Sequence, residues 1–163
     1  MSETYHVRVE KDYLVFSAAH FITFDGNTCE RLHGHNYRVA AEVEGSLDEN
    51  YYVIDFLALR DAMRSIVIDL DHFMLLPTGH PTIAVECNDC KVWVTFQDRR
   101  WEFPRGDCKL LPVANTTTEL LASYIGKRLL DDLSARFGVR PIVVRIELDE
   151  CFGQSAVCEL RGE

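Results

Sequence analysis

Three histidines carry the sharpest chemical signal in the chain. His33 and His35 stand at i and i+2 with only Gly34 between them. In an extended strand such residues point to one face, so their imidazoles can converge on a single cation. His20 ends an apolar alternation of Leu14, Phe16, Ala18 and His20, and an antiparallel hairpin would set it beside the other two. Three neutral imidazoles with a fourth position open are the ligand set of a catalytic zinc site. Gly34, between two of the ligands, is read as letting backbone approach the metal. Cys29 lies four residues before His33. That spacing leaves two roles open: a fourth ligand that closes a structural site, or a thiolate beside the metal acting as base or nucleophile. Asp71-His72 follows a helix pattern, where the carboxylate can orient the imidazole for proton transfer or the pair can simply complement the helix end.

Strands and helices must bring these residues together. Residues 14–21 and 36–45 read as two strands, the second reaching back toward His33. The 3.6-residue period predicts a helix over 56–70, with Phe56, Leu59, Met63, Ile66, Val67 and Leu70 on its stripe and Asp55 as N-cap. A second helix is predicted over 117–137, striped by Leu121, Tyr124, Ile125, Leu129, Leu133 and Phe137. Thr116 and Glu119 fit a capping box, and Gly138 with Pro141 beyond it fits a stop. The aromatics Phe56, Tyr124 and Phe137 are assigned to the core. Residues 142–150 and 155–160 read as closing strands. Residues 78–112 form an inserted β excursion, with strand pieces at 91–96 and 99–103 around a Gln97-Asp98 turn. Cys87-Asn88-Asp89-Cys90, within it, is read as a turn rather than as half of a second metal site or a redox pair. The order β, β, α, hairpin, α, β, β makes a single α+β domain over 1–163, because strands and helices do not alternate as in a doubly wound sheet.

The 163 residues suit one domain. With 47% hydrophobic and 26% charged residues the composition is globular, which excludes disorder. Lys and Arg number 17 against 26 Asp and Glu, a net charge of −9. Such a chain is a poor general partner for nucleic acid or an anionic membrane. No apolar run approaches the length of a membrane span. The charged start MSETYHVRVEKDY has no apolar signal core, so a cytoplasmic protein with its six cysteines reduced is expected. No Gly-rich dinucleotide fingerprint is present in the sequence.

The segments FSAAHF, CERLHGHNY, DLDHFML, NTTTELLA and VRIELDE together resemble the 6-pyruvoyltetrahydropterin synthase/6-carboxytetrahydropterin synthase family. The resemblance spans nearly the whole chain except 78–112. It implies the tunnelling fold (T-fold), an antiparallel four-stranded sheet with two helices on one face, assembling as a homo-oligomer, commonly a hexamer. It implies one zinc ion per subunit on His20, His33 and His35. Cys29 matches the catalytic thiol, and Asp71 and His72 its relay partners. Thr117, Thr118 and Glu119 match a segment that helps hold the pterin. Glu150 matches the glutamate that grips the pterin edge, in preference to Glu147, because the gap from Glu150 to Cys158 fits the family's strand pair. The implied substrate is the small molecule 7,8-dihydroneopterin triphosphate. Cys-x3-His-Gly-His resembles the carboxy-forming branch of 7-deazaguanine (queuosine) synthesis, while Glu30-x-x-His33 also satisfies a branch that uses glutamate in place of the thiol. The pyruvoyl-forming and side-chain-cleaving reactions are the alternatives. Arg31, Arg38, Arg99, Arg100 and Arg105 are the cations that could offset the net charge for a triphosphate.

Overall fold

The computed structural model describes residues 3–26, 28–138 and 141–162. A sheet of six strands forms its frame. Strands β1 (Tyr5–His20), β4 (His33–Gly45), β10 (Val143–Cys151) and β11 (Gln154–Arg161) are antiparallel neighbours in the order β11-β10-β4-β1. This is the expected four-stranded unit. Two further strands, β5 (Phe73–Pro77) and β9 (Cys108–Leu111), extend it beyond β1 and run parallel to their neighbours. Neither was expected. Phe73–Pro77 is an unbroken apolar run with its last four residues buried, and a strand covered on both faces shows no alternation to read. Strand β9 lies within the stretch taken for an insertion but belongs to the main sheet.

Helices α1 (Phe56–Leu70) and α2 (Thr118–Phe137) cover one face. Asp55 caps α1 as expected, its side chain accepting from the Leu57 amide. In α2 the cap is Thr117, not Thr116: its hydroxyl accepts from the Leu120 amide, so the Thr116/Glu119 capping box does not form. The sequence Thr116-Thr117-Thr118 offers three successive residues able to cap, and only packing selects among them. Gly138 ends α2 in the left-handed conformation, φ 66°. Leu59, Met63, Ile66 and Leu70 of α1 and Leu121, Ile125, Leu129 and Leu133 of α2 are fully buried against Phe16, Tyr37, Val39 and Ile146 of the sheet. Each such side chain contributes about 1.5–3 kcal/mol of apolar burial. Two of the three assigned core aromatics are not core. Phe56 and Phe137, in the first turn of α1 and the last of α2, are exposed; Tyr124 is partly buried against the core.

The opposite face of the sheet divides in two. Over β4, β10 and the start of β1 it is polar: Arg145 binds Glu42, Glu44 and Glu159, and Arg8 binds Glu147. Near β5 and β9 a second apolar cluster forms from Phe21, Met74, Leu76 and Cys108 with Val92, Val94 and Phe96. These last three belong to a three-stranded antiparallel sheet, β6 (Ala84–Cys87), β7 (Lys91–Phe96) and β8 (Arg99–Pro104). A turn at Gln97-Asp98 joins β7 to β8, as read from sequence. The Cys87–Cys90 stretch is also a turn, held by the Asn88 side chain accepting from the Cys90 and Lys91 amides. A small hairpin, β2 (Thr23–Phe24) and β3 (Thr28–Cys29), links β1 to β4.

Candidate active site

The ladder between β1 and β4 builds the histidine cluster. His20 pairs directly with His33, and Ala18 with His35. All three imidazoles therefore project from the helix-covered face. Their ring centroids lie 4.8–5.2 Å apart, and one ligand nitrogen from each lies within 4.8 Å of the others. Gly34 points the other way. A Cβ there would sit 3.0 Å from the Ala18 carbonyl oxygen, so this glycine permits close approach of β1 rather than of a metal, a correction to the sequence reading.

The hydrogen bonds orient the rings. His20 donates from Nδ1 to the Thr116 carbonyl at 2.9 Å, and His33 from Nδ1 to the Arg31 carbonyl at 2.8 Å. A carbonyl can only accept, so the proton of each neutral ring is on Nδ1 and Nε2 carries a lone pair. Burial holds His20 below its ordinary pKa, outweighing the raising effect of the Thr116 carbonyl. The Nε2 of His35 is buried with no hydrogen-bond partner. Glu150 Oε1 approaches to 3.2 Å from His35 Nε2 and 3.5 Å from His20 Nε2. The Nε2 lone pair of His20 facing a carboxylate oxygen is repulsive unless a cation lies between them. The donor set thus fits a divalent metal of the zinc type, held by His20, His33 and His35.

Glu150 reaches this place because it continues the helix-side series Val144, Ile146 and Leu148 on β10. Glu147 lies on the opposite face, paired with Arg8 at 2.6 Å. Beside the histidines, Thr118, Glu119 and Glu150 line a polar cleft of about 520 Å³ with Gly153, Gln154 and Ser155. Thr117 is engaged in capping α2.

Cys29 and Glu30 diverge. The Cys29 sulfur packs toward the second apolar cluster and meets the Glu30 carbonyl at 3.4 Å. Burial pushes this thiol up, the nearby Arg99 charge opposing and Glu30 adding to the effect. Among the described residues the sulfur is outside the histidine group that could hold a metal. The Glu30 carboxylate instead comes within 3.9 Å of His33 Nε2.

Asp71 and His72 are joined, Oδ2 to Nδ1 at 2.8 Å, and Asp71 Oδ1 accepts from the Ser17 amide at 2.8 Å. Burial would raise the Asp71 carboxyl; the Ser17 and His72 hydrogen bonds outweigh it and hold the carboxyl low. His72 has backbone φ 64° and a side chain 81% exposed. It lines a groove of about 540 Å³ with Ser17, Asn36, Phe103 and Asp107. Gly34 and His35 also border this groove, but Ser17 and Asn36 alternate with the histidine-bearing positions, which places the Asp71-His72 pair on the sheet face opposite the imidazoles. Of the cations considered for a triphosphate, Arg99 donates to the Cys29 and Glu30 carbonyls and Arg105 to the Cys108 carbonyl.

Two neighbours of the triad escaped the sequence reading. Tyr37, fully buried, places its hydroxyl 3.2 Å from His20 Nε2; it continues the i+2 series from His33 and His35, so the signal was present. Thr116, also fully buried, orients His20 through its backbone carbonyl and donates its hydroxyl to the Phe21 carbonyl. A main-chain ligand of this kind has no signature in residue type.

Comparison with known proteins identifies the family. The model of the family described as 6-pyruvoyl tetrahydropterin synthase matches residues 8–162. The putative 6-carboxy-5,6,7,8-tetrahydropterin synthase of Methanocaldococcus jannaschii is 32% identical over 145 residues, 88% of each chain. The 6-pyruvoyltetrahydropterin synthase of Plasmodium vivax superposes with a TM-score of 0.88 at 28% identity, covering 98% of this chain and 99% of that one. One solved form of that enzyme is an alanine variant of a catalytic glutamate. A shorter match, 39% identical over 57 residues, joins 35% of this chain to 47% of the dihydroneopterin monophosphate aldolase of Pyrococcus furiosus. The match over residues 8–162, which spans the whole sheet-and-helix frame, establishes that the chain belongs to the 6-pyruvoyl tetrahydropterin synthase family.

Proposed function

We propose that the chain is a cytoplasmic, zinc-dependent tetrahydropterin synthase that converts 7,8-dihydroneopterin triphosphate to 6-carboxy-5,6,7,8-tetrahydropterin, a step toward 7-deazaguanines. The observation that carries this reading is the convergence of His20, His33 and His35 beside the cleft lined by Glu119 and Glu150. The relative from Methanocaldococcus jannaschii supports the carboxy-forming branch.

Zinc held by the three imidazoles supplies Lewis acidity to the hydroxyls of the substrate side chain. Glu150 offers two acceptor oxygens to the amine and ring N–H of a pterin, a paired interaction that sets orientation. Thr118 and Glu119 line the same cleft. Cys29, the base implied by family resemblance, takes a carbon-bound proton on its sulfur as thiolate, while the Glu30 carboxylate is the acceptor that lies nearer the triad. Asp71 orients His72 for proton transfer. Because this pair lies on the other face of the sheet, it serves the triad of a second copy, so the working form is a homo-oligomer.

A second reading rests on Glu30. Its carboxylate, not the Cys29 sulfur, faces His33, which favours side-chain cleavage of a dihydroneopterin phosphate to a hydroxymethyl product, in line with the match to the aldolase. Incubation with dihydroneopterin triphosphate and mass analysis of the product separates the two. Carboxytetrahydropterin with acetaldehyde supports the first reading. Hydroxymethyl-dihydropterin supports the second, and no turnover of either the triphosphate or the monophosphate sinks both.

A further inference from the structure

The segment that carries Cys29 and Glu30 has little structure of its own. Strands β2 and β3 contribute two residues each, and a ladder so short is marginal in water. What holds it comes from elsewhere. On the β2 side, His80 accepts at Nδ1 from the Thr82 and Ile83 amides, so its Nε2 carries the proton and donates to Thr23 Oγ1 at 2.7 Å. Asn115 donates to the Thr23 carbonyl at 2.9 Å. On the β3 side, three consecutive carbonyls are bound. Arg99 Nη1 donates to those of Cys29 and Glu30, each at 2.8 Å, and His33 Nδ1 takes that of Arg31. Arg99 is itself fixed. Its guanidinium lies 4.7 Å over the Trp101 ring, and Trp101 stacks on Phe21, centroids 4.7 Å apart. Phe21 is fully buried and directly follows His20. The three-stranded sheet is thereby tied to both the base-bearing segment and the metal-bearing strand.

We propose that Arg99 is a positioning residue: by gripping the carbonyls of Cys29 and Glu30 it sets the peptide planes that aim the Glu30 side chain at the histidine triad. The catalytic consequence rests on the proposed function; the positioning itself does not. Both bonds leave the single nitrogen Nη1, whose two hydrogens lie in the guanidinium plane held by its seat over Trp101, whereas an ammonium turns freely about its stem.

The test uses the full-length, zinc-loaded chain and its R99A, R99K and R99Q variants. Hydrogen exchange read by mass spectrometry reports on peptides covering residues 22–32, and steady-state kinetics report turnover of dihydroneopterin triphosphate. For R99A we expect faster exchange confined to 28–32 and zinc content equal to wild type. We also expect kcat lowered about 10- to 100-fold with KM changed less than about twofold. R99K should recover part of kcat and R99Q less. Exchange in 28–32 equal to wild type overturns the proposal, as does faster exchange with unchanged kcat or a loss carried by KM alone. If R99A fails to fold, R99K and R99Q give the same comparison. If the wild-type chain turns over nothing, the functional reading fails and the exchange data alone decide the role of Arg99.

Discussion

The carboxylate of Glu30 reaches to within 3.9 Å of His33 Nε2, while the sulfur of Cys29, one residue earlier, turns away to meet the Glu30 carbonyl at 3.4 Å. Successive side chains in extended backbone point to opposite sides, so only one of these two can face the triad in a given conformation. The thiol is also held up by burial, which makes it less available as thiolate.

Replacing Glu30 with Gln should therefore cost more than replacing Cys29 with Ala. A general base contributes about 10²- to 10⁴-fold to rate, and E30Q is expected to lose kcat in that range with its zinc retained. C29A should lose about tenfold or less, since its sulfur lies off the triad. Steady-state kinetics of both variants, with metal content measured alongside, decide the matter. A C29A loss larger than that of E30Q would return the base to Cys29.

The placement of Asp71-His72 on the face opposite the triad predicts shared sites. H35A should lack the metal and H72A the proton relay, and each should be inactive alone. Mixed and reassociated, they should regain a measurable fraction of wild-type activity, because some sites would combine an intact triad with an intact relay from another copy. Mixtures no more active than the separate variants would show that the relay does not act across an interface.

Asp69 predicts a pH-dependent stability. It sits on α1 and receives Lys109 of β9 and Arg128 of α2. Burial alone would raise its carboxyl, but these two hydrogen bonds outweigh it and hold the pKa below the ordinary value. A depressed folded pKa adds stability above the unfolded carboxyl's value of about 3.9, and the gain disappears as pH falls through the folded value. At neutral pH, D69N should lose about 1 kcal/mol or less, because the site is partly exposed. Near about pH 2 it should match wild type. Urea titrations across that range give the comparison, and a gap independent of pH would remove the electrostatic explanation.

The same contrast explains what could be read from sequence. Helix α1 was legible, because Asp55 marks its start and the 3.6 period runs from Leu59 to Leu70, although Phe56, read onto the same stripe, is exposed. The triad was legible because His33 and His35 share a strand face by simple alternation. Strand β5 was not, since a parallel strand covered on both faces carries no period, and β9, four residues at the sheet edge, is too short to show one. Nor could spacing tell which of Cys29 and Glu30 faces the metal ligands. That depends on the turn of three peptide planes, fixed by Arg99 from seventy residues away and by His33. The sidedness of Asp71-His72 depends likewise on the Ser17 amide and carbonyl that receive the chain after α1.

Gly34 ties the ladder to the geometry of the three imidazoles. A Cβ at this position would lie 3.0 Å from the Ala18 carbonyl oxygen, a main-chain atom of the paired strand that cannot rotate out of the way as a side chain could. Ala18 is the register partner of His35, and His20, two residues on, is that of His33. Relief of the contact must therefore move β1 against β4 where the three imidazoles meet. Zinc binding to the folded chain alone should raise wild-type stability, by about 2.7 kcal/mol at a hundredfold excess over Kd, and a chelator should reverse the rise. G34A should keep the helical signal of α1 and α2 yet bind zinc about 10- to 100-fold more weakly, with a smaller rise in Tm, as expected when support around metal ligands is disturbed. Calorimetric zinc titration of the two proteins measures this directly. Equal affinities would mean that the strands absorb the methyl group without disturbing the ligands, and that the close approach at Gly34 serves packing alone.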